Sequence, residues 1–419
     1  MATLNLLQRL VKGIPFGKPE VLPHWRTPST LDRGKLGEAR LALDGKGHGL
    51  ALWENDGSLW TMPIGPRNAP ALMRLPLGEG TSPRLVLNPD GRGIALWQTQ
   101  VGGECQILGK ILGGGDTMAH ALFHTEGRVA YLQAAVDRRG NALVVWLHEQ
   151  EGRFEVMANA FDTRGQAWEQ SPTTLGIPSA ESVEPRIAVN HREHAMVLWG
   201  VLEKGFEGLV ASHYWPSDRI WSDRPVPVVA HATSHHQVVM DDLGNALALW
   251  IHAPYGQRPT LEASFFDVHH SEWGAPETLG SAHSFSIPRL AMSGDGQALA
   301  AWCQGEEHGG SRLYAKAFVE GRWETDMECL DPGHGMVQDF AIALGSDGRA
   351  GLLALHHGSD GGWVSARLRS SVWSGPVALA PPTRTAHSSP RLVLCPEGTS
   401  ALWIQGEGRE QALILAETT

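Results

Sequence analysis

One pattern recurs eight times along this chain of 419 residues and constrains its fold more than any other feature. Each copy has a starting residue, usually Arg, then three strand-like residues, an Asp or Asn, a turn with Gly, and an apolar run that ends in Trp. Two copies read RLVLNPDGRGIALW at 84–97 and QVVMDDLGNALALW at 237–250. The copies begin at residues 40, 84, 133, 186, 237, 289, 341 and 391, so the period runs from 44 to 53 residues. Such self-similarity predicts an array of one supersecondary unit.

Each repeat contains four segments that are typical of β-strands, and none shows helical periodicity. Strand a precedes the Asp or Asn, and strand b is the apolar run that ends in Trp. Strand c follows a polar link, as in Phe154–Phe161, and strand d carries a second Trp, such as Trp168. The Gly of the a–b turn lies seven residues after the start of the copy, where we expect a positive φ.

The eighth copy is short, because the chain ends before a strand d can follow it. The missing strand has a match at the other end of the chain, where HWRTPSTL at 24–31 resembles AWEQSPTTL at 167–175. In this match Trp25 occupies the position of Trp168. We therefore predict that residues 20–31 form the outer strand of the last repeat, which removes an open sheet edge.

These repeats predict an all-β fold, a single eight-bladed β-propeller of four-stranded antiparallel blades that an N-terminal strand closes. The chain resembles the β-propeller superfamily over residues 20–419, and it is loosely similar to the Asp-box repeats of sialidase-type propellers. The nearest match to an Asp box is Asp162–Trp168, which has one extra residue between Asp and Gly. Residues 1–19 form a separate N-terminal segment, whose apolar residues fall near one face of a predicted short helix.

Composition narrows the classes of partner and compartment. The net charge of −11 argues against a non-specific nucleic-acid binder, which needs clustered positive charge. No apolar run reaches the roughly 20 residues of a transmembrane helix, and we recognise no secretory signal. The four Cys residues show no CxxC pair, so we expect reduced thiols in a cytoplasmic protein.

The starting residues of the eight copies are the principal binding candidates, since the repeat places them at one height around the central channel. We call seven of them the channel ring: Arg40, Arg84, Gln133, Arg186, Gln237, Arg289 and Arg391. One hypothesis is that their guanidinium groups converge on an anion such as a carboxylate or phosphate. The other hypothesis is that each side chain bridges to the next blade, where it meets a carboxylate or a carbonyl.

Some residues lie outside the two Trp positions that recur in each repeat, at the end of strand b and in strand d. We consider these residues candidates for exposed contacts. They are Trp60, Trp215 and Trp363, together with His235 and His236, which precede the fifth strand a.

The Trp residues that end strands b and d fit packing between blades better than sugar stacking. The Asp and Asn residues after strand a fit turn hydrogen bonds better than metal ligation. We therefore predict no metal site, no cofactor and no catalytic residue, since no nucleophile–base motif is present.

The seventh copy departs from the pattern twice, with Ala341 in place of Arg and Ala354 in place of Trp. Such departures reflect either neutral drift or a site where a functional requirement replaced the repeated residue.

The function that these features favour is that of a non-catalytic binding or scaffold protein, which recognises another protein through its loops or its channel. Two alternatives remain open at this point. One is a carbohydrate-binding, lectin-like propeller that uses Trp60 and Trp363. The other is a hydrolase or lyase with its site at the channel mouth around the arginines.

Overall fold

The computed structural model describes residues 24–418, with gaps at 66–72, 115–117, 177–178, 180, 204, 218, 284–286, 306–310, 332–335, 359–360, 371 and 384–386. The segment at 1–19, for which we predicted a short helix, lies outside the described residues. Within the described part of the chain, no helix is long and apolar enough to cross a membrane.

The strands form eight antiparallel sheets, which confirms the predicted eight-bladed propeller. We name the strands of each blade a to d in sheet order. Blade 1 contains Leu36–Leu43, Gly49–Asn55, Ser58–Ile64 and Leu75–Glu79, and blade 2 contains Thr81–Leu87, Gly93–Val101, Glu104–Leu112 and Ala119–Thr125. Blade 7 contains Met336–Leu344, Ala350–Gly358, Gly361–Arg369 and Val377–Thr383.

In blades 3 to 6, strand d is divided into two short pieces that both pair with strand c. Blade 3 contains Arg128–Val136, Ala142–Gln150, Arg153–Asp162, Ala167–Trp168 and Thr173–Thr174. Blade 4 contains Glu181–Val189, Ala195–Glu203, Phe206–Trp215, Ile220–Trp221 and Val226–Val229. Blade 5 contains Ser234–Met240, Ala246–His252, Thr260–Asp267, Glu272–Trp273 and Glu277–Ser281. Blade 6 contains Arg289–Met292, Ala298–Gly305, Ser311–Val319, Arg322–Trp323 and Glu328–Cys329.

Blade 8 joins the two ends of the chain, as the sequence predicts. Its strands a to c are His387–Cys395, Gly398–Gln405 and Gln411–Glu417, with a 3₁₀ turn at Gly408–Glu410 between the last two. Strand d is the N-terminal segment Ser29–Gly34, which pairs with strand c, and Trp25 forms an isolated bridge to Thr418. We expected this strand at residues 20–31, but it runs from Ser29 to Gly34, so its expected end is three residues short. Of the earlier residues, 20–23 lie outside the described part of the chain and Trp25 forms only the isolated bridge.

The strands a of neighbouring blades contact one another around a closed ring, so they surround the central channel. Strand b is apolar on both faces because another blade packs against each side of its sheet. The strand-b Trp residues fill these interfaces and are almost completely buried: Trp53, Trp97, Trp146, Trp199, Trp250, Trp302 and Trp403. Burial of these indoles between blades supports the packing interpretation of this Trp register.

The a–b turns largely follow the expected backbone. The turn position has a positive φ at Gly47, Gly91, Gly140, Gly244, Gly296 and Gly348. In blade 4 the same position is Glu193, with a φ of 72° that is uncommon for a residue with a side chain. Blade 8 differs, because its tight turn pairs Gly398 directly with Cys395 and needs no left-handed glycine there.

Candidate functional site

The channel ring lies on strand a, next to a bulge that the sequence analysis did not predict. The a–b register shifts just before the ring position in seven blades, for example between Val183 and Arg186. In five blades the residue two before the ring position has a positive φ: Ser82, Tyr131, Glu184, His235 and Ser389. Four copies carry Pro directly before Arg, as in Pro185–Arg186, and Pro at a strand bulge is a signal that could have revealed this feature.

Four ring side chains donate hydrogen bonds to the next blade in the same way. Each reaches the backbone carbonyl of the residue just before the next ring position. Arg84 Nε reaches Leu132 O at 2.6 Å, Arg186 Nε reaches His236 O at 3.4 Å, Gln237 Nε2 reaches Pro288 O at 2.6 Å, and Arg289 Nε reaches Phe340 O at 3.0 Å. These bonds hold neighbouring blades together, so part of the ring has the bridging role considered above.

Three carboxylates in the ring were missed by the sequence analysis, although they all lie two residues before a ring position. Glu184 lies 3.1 Å from Arg186, and Asp339 lies 3.0 Å from Arg289 across the interface of blades 6 and 7. Glu38 contacts both Arg40 and Arg84, the latter at 2.6 Å. A search for acids at this offset would have found them.

The arc formed by blades 8, 1 and 2 is different, because cations outnumber anions there. We call Arg391, Arg40 and Arg84 the arginine cluster. Glu38 is the shared carboxylate of Arg40 and Arg84, whereas Arg391 makes no ion pair with any described residue and donates to Pro390 O at 2.7 Å. The cluster therefore has unbalanced positive charge inside a protein whose net charge is −11.

The pKa values of the cluster reflect this imbalance. Burial, together with the charges of Arg391 and Arg84, lowers the pKa of Arg40 to about 9, while Glu38 acts in the opposite direction. Burial likewise lowers the pKa of Arg391 to about 10, with a contribution from the charge of Arg289. Both guanidinium groups stay protonated at neutral pH, in an environment that an additional anion would stabilise.

The remaining ring positions do not add charge. Gln133 is half-buried on strand a of blade 3, and Ala341 occupies the ring position of blade 7. Gln237 uses both ends of its amide for blade 6, since its Oε1 accepts from Leu290 N at 3.0 Å. Arg186, Gln237 and Arg289 thus only bridge neighbouring blades, whereas Arg84 both bridges to blade 3 and belongs to the arginine cluster.

The candidates for exposed contacts are less exposed than expected. The guanidinium of Arg74 lies 4.3 Å from the ring centre of Trp60, His213 lies 4.0 Å from that of Trp215, and His356 stacks on Trp363 at 4.8 Å. All three Trp residues and His235 are half-buried. The expectation for His236 is wrong, because it is 2% exposed.

His236 has a structural environment instead. Its Nε2 donates to Glu184 O at 2.7 Å across the interface of blades 4 and 5. Burial lowers its pKa to about 4, with the charge of Arg186 acting in the same direction. A neutral His236 therefore supports the bulge that carries Glu184 beside the ring.

The Asp and Asn residues that follow strand a make turn hydrogen bonds. Asp241 Oδ1 accepts from the backbone N–H groups of Leu243, Gly244 and Asn245 at 2.8–2.9 Å. Asn88 Oδ1 accepts from Asp90 N and Arg92 N at 3.0 Å. Such bonds are the usual role of these side chains in turns.

Replacement of the strand-b Trp by Ala354 leaves a cavity of about 180 Å³ between blades 6 and 7. Its walls include Leu313 and Leu330 from blade 6 and Leu352, His356 and Trp363 from blade 7. In the other blades this space holds an indole. The second departure of copy seven, Ala354 in place of Trp, therefore leaves a space between two blades. The repeat pattern marked this copy as unusual but did not reveal the cavity.

Comparisons with known proteins support the fold and give no family. No family model matches the chain, and no curated protein matches it. Among solved structures, the lectin BP39L from Burkholderia pseudomallei has 12% identity and a TM-score of 0.52, over 82% of this chain and 100% of the lectin.

Two further structural neighbours have other functions. The polysaccharide lyase Uly1 has 6% identity and a TM-score of 0.48, over 98% of this chain and 94% of the lyase. The WD40 domain of SCAP from fission yeast has 10% identity and a TM-score of 0.46, over 94% of each chain. At 12% identity the likeness to the lectin concerns the fold alone, and the two neighbours with TM-scores below 0.5 carry no argument.

Proposed function

We propose that this propeller is a non-catalytic binding protein, which holds a carboxylate of a partner protein in its central channel. The observation that carries this proposal is the arginine cluster, in which Arg40 and Arg84 share one carboxylate, Glu38, and Arg391 forms no ion pair with a described residue. Planar guanidinium groups bind carboxylates in a bidentate manner, and a partly buried pair is stronger than an exposed one. An incoming carboxylate would offset the repulsion among the three cations.

Access to the cluster favours a slender ligand. The side chains of Arg40 and Arg84 are 15% and 17% exposed, so a flat protein surface cannot contact them closely. An Asp or Glu side chain on an extended peptide, or a C-terminal carboxylate, can enter such a site. The surrounding negative net charge would disfavour highly acidic partners and favour a single well-placed carboxylate.

The two alternatives have less support from the described residues. A lectin-like function would use exposed aromatic platforms, yet Trp60 and Trp363 are half-buried and already stacked. A hydrolase or lyase would need an acid–base pair at the channel, and Glu38, Glu184 and Asp339 are each paired with arginine. We therefore rank recognition of a protein partner first.

Fluorescence anisotropy with labelled peptide libraries tests the proposal. We expect the wild-type protein to bind selected peptides that carry an Asp, a Glu or a free C-terminus, and to bind their amide-matched versions at least tenfold more weakly. R40Q and R391Q should each weaken binding at least tenfold, and R40K should be intermediate. R128Q is the matched control, since Arg128 also lies in a strand a but its side chain is 84% exposed.

The same assay separates the alternatives. Equal binding of acidic and amidated peptides, or unchanged binding by R40Q and R391Q, would overturn the proposal. Binding of acidic oligosaccharides in place of peptides would favour the lectin-like alternative. Turnover of any saccharide by the wild-type protein, abolished in R40Q, would favour the enzyme.

A further inference from the structure

Three metal-ligating side chains meet in blade 5, away from the arginine cluster. His231 lies in the connection between Val226–Val229 of blade 4 and Ser234–Met240 of blade 5. His252 ends strand b and Glu262 lies in strand c, where it pairs with Trp250. The connection therefore folds back over the b–c pair, and it brings together residues from three separate segments.

The geometry of these side chains is compact. His231 Nε2 lies 3.2 Å from Glu262 Oε2, and the two imidazole ring centres are 3.8 Å apart. One nitrogen from each ring and one oxygen of Glu262 all lie within 4.8 Å of one another. Ligands at about 2.0–2.2 Å from a zinc ion are separated by only slightly more than 3 Å, so small side-chain movements complete a coordination site.

Hydrogen bonds already orient both imidazole rings. His231 Nδ1 and His252 Nδ1 lie 3.3 Å and 3.1 Å from the same carbonyl oxygen, that of Ala232. A carbonyl oxygen only accepts, so Nδ1 carries the hydrogen in each ring and a neutral ring keeps its lone pair on Nε2. Donation from Nδ1 to a backbone carbonyl is the usual way in which proteins fix a metal-binding histidine.

The carboxylate is anchored as well. Glu262 Oε2 accepts a hydrogen bond of 3.0 Å from Nε1 of Trp250, which is fully buried. Thr260 donates a longer bond of 3.4 Å to the other oxygen. Ligating carboxylates commonly have such partners, which reduce the entropy lost when a metal binds.

Repeat symmetry shows that Glu262 is unusual. The residue that pairs with the last position of the strand-b pattern is Trp60, Leu108, Met157, Val210, Tyr314, Ser365 or Ile414 in the other seven blades. None of these carries a charge, and six of the seven are large and apolar or aromatic. A carboxylate at a position that otherwise serves packing points to a local function.

We propose that His231, His252 and Glu262 form a zinc-binding site with one open coordination position. Two imidazoles and a carboxylate are a donor set that zinc prefers, and three protein ligands leave the fourth tetrahedral position for water or for a group of a partner. The side chains of His231 and Glu262 are 31% and 13% exposed, so the ion can enter from solvent. This proposal departs from our expectation, made from the sequence, that the protein has no metal site.

Isothermal titration of the EDTA-treated, dialysed chain with zinc chloride tests this proposal. We expect one zinc per chain with a dissociation constant in the micromolar range or tighter, and a rise in Tm that grows with zinc concentration. Magnesium and calcium should bind at least a hundredfold more weakly, since they prefer sites made only of oxygen ligands.

Variants identify the ligands. H231A, H252A and E262Q should each weaken zinc binding at least tenfold, and E262Q keeps an acceptor for Trp250, so its Tm without zinc should stay close to that of the wild type. The matched control is the double variant H269A/H270A, which removes two histidines from an exposed turn of the same blade, where His270 pairs with Asp267 at 2.8 Å.

Three results would overturn the proposal. One is the absence of binding heat and of any change in Tm with zinc. The second is unchanged affinity in H231A, H252A and E262Q. The third is loss of binding only in H269A/H270A, which would show an adventitious ion only, held by the exposed turn.

Discussion

Nε1 of Trp53 donates a hydrogen bond of 2.8 Å to Oδ2 of Asp32. Trp53 ends the strand-b pattern of blade 1, whereas Asp32 lies on the N-terminal strand that completes blade 8. This bond therefore connects the closing strand to the first blade as well as to the last. Asn55 donates to the same oxygen at 2.9 Å, and Arg74 pairs with Oδ1 at 2.6 Å.

Replacement of Asp32 by Ala should destabilise the protein by about 2 kcal/mol, since hydrogen bonds to a charged acceptor contribute about 1.5–3 kcal/mol each and water can replace part of the lost bonds. Urea unfolding followed by tryptophan fluorescence measures this loss. D32N is the milder variant, because its amide oxygen can still accept from Trp53. A loss below about 0.5 kcal/mol in D32A would show that the closing strand does not depend on this carboxylate.

Asp32 also predicts a dependence on pH. Burial raises its pKa, but hydrogen bonds from Asn55 and Trp53 and the charge of Arg74 outweigh burial and hold the pKa below its usual value. Its contribution is therefore present above the unfolded pKa and is lost as the pH falls through the folded pKa. The wild type should lose more stability than D32N below about pH 4. Parallel curves for the two proteins would contradict this.

Deletion of residues 1–34 should lower the Tm by more than 10 °C or cause aggregation, because it removes strand d of blade 8 and exposes an unpaired edge. Differential scanning calorimetry and light scattering measure both effects. A synthetic peptide of residues 24–35, added in excess, should restore part of the lost Tm. A scrambled peptide of the same composition is the control, and an unchanged Tm after deletion would contradict closure by this strand.

Arg289 and Arg391 should respond differently to the same substitution. R289Q leaves Asp339 without its ion-pair partner, although Gln can still donate to Phe340 O as Gln237 does to Pro288 O, so we expect a loss of about 1–2 kcal/mol. R391Q removes a charge that the other arginines oppose, so its stability should change by less than about 0.5 kcal/mol or increase. Chemical denaturation of both variants measures their free energies of unfolding. Equal losses of stability would contradict our conclusion that Arg289 stabilises the contact between blades and Arg391 does not.

The cavity at Ala354 predicts a gain of stability from a larger side chain. A354W restores the repeat pattern and should raise the Tm if the indole occupies the 180 Å³ space between blades 6 and 7. The reverse substitution in the adjacent blade, W302A, should cost about 3–5 kcal/mol, because it removes a buried indole and leaves a cavity in its place. A lower Tm for A354W would show that the neighbouring side chains already use this space, and A354L then tests a smaller filling.

Much of the fold could be predicted because the repeat is local. Each blade encodes its own turn, its apolar strand b and its packing Trp, and these features need no knowledge of distant residues. The match between Trp25 and Trp168 even identified the closing strand, although the match ended at Leu31 and so missed the pairing of Asp32 to Gly34. The bulge before the ring was missed because a register shift leaves little trace in sequence beyond the Pro before Arg.

The candidate sites were harder to predict, since they depend on contacts between blades. The sequence places Arg40 and Arg391 at equivalent positions, but only the closed ring shows that they are neighbours beside Glu38. The spacing of His231, His252 and Glu262 matches no known metal motif, because a connection, a strand end and a neighbouring strand supply one residue each. In the sequence, His236 comes just before the predicted strand a of blade 5, where we expected a surface residue. The bulge instead turns its side chain into the interface between blades 4 and 5.

The sequence alone determined the number of blades, the strand order in each blade and the closure of the ring, because periodic burial and turn chemistry are properties of short segments. Tertiary structure decided which ring side chains bridge blades and placed Glu38 between Arg40 and Arg84. It also decided that a connection between blades 4 and 5 and two strands of blade 5 bring two imidazoles to one glutamate. These outcomes depend on distances between side chains far apart in the chain, and a repeat pattern does not specify those distances.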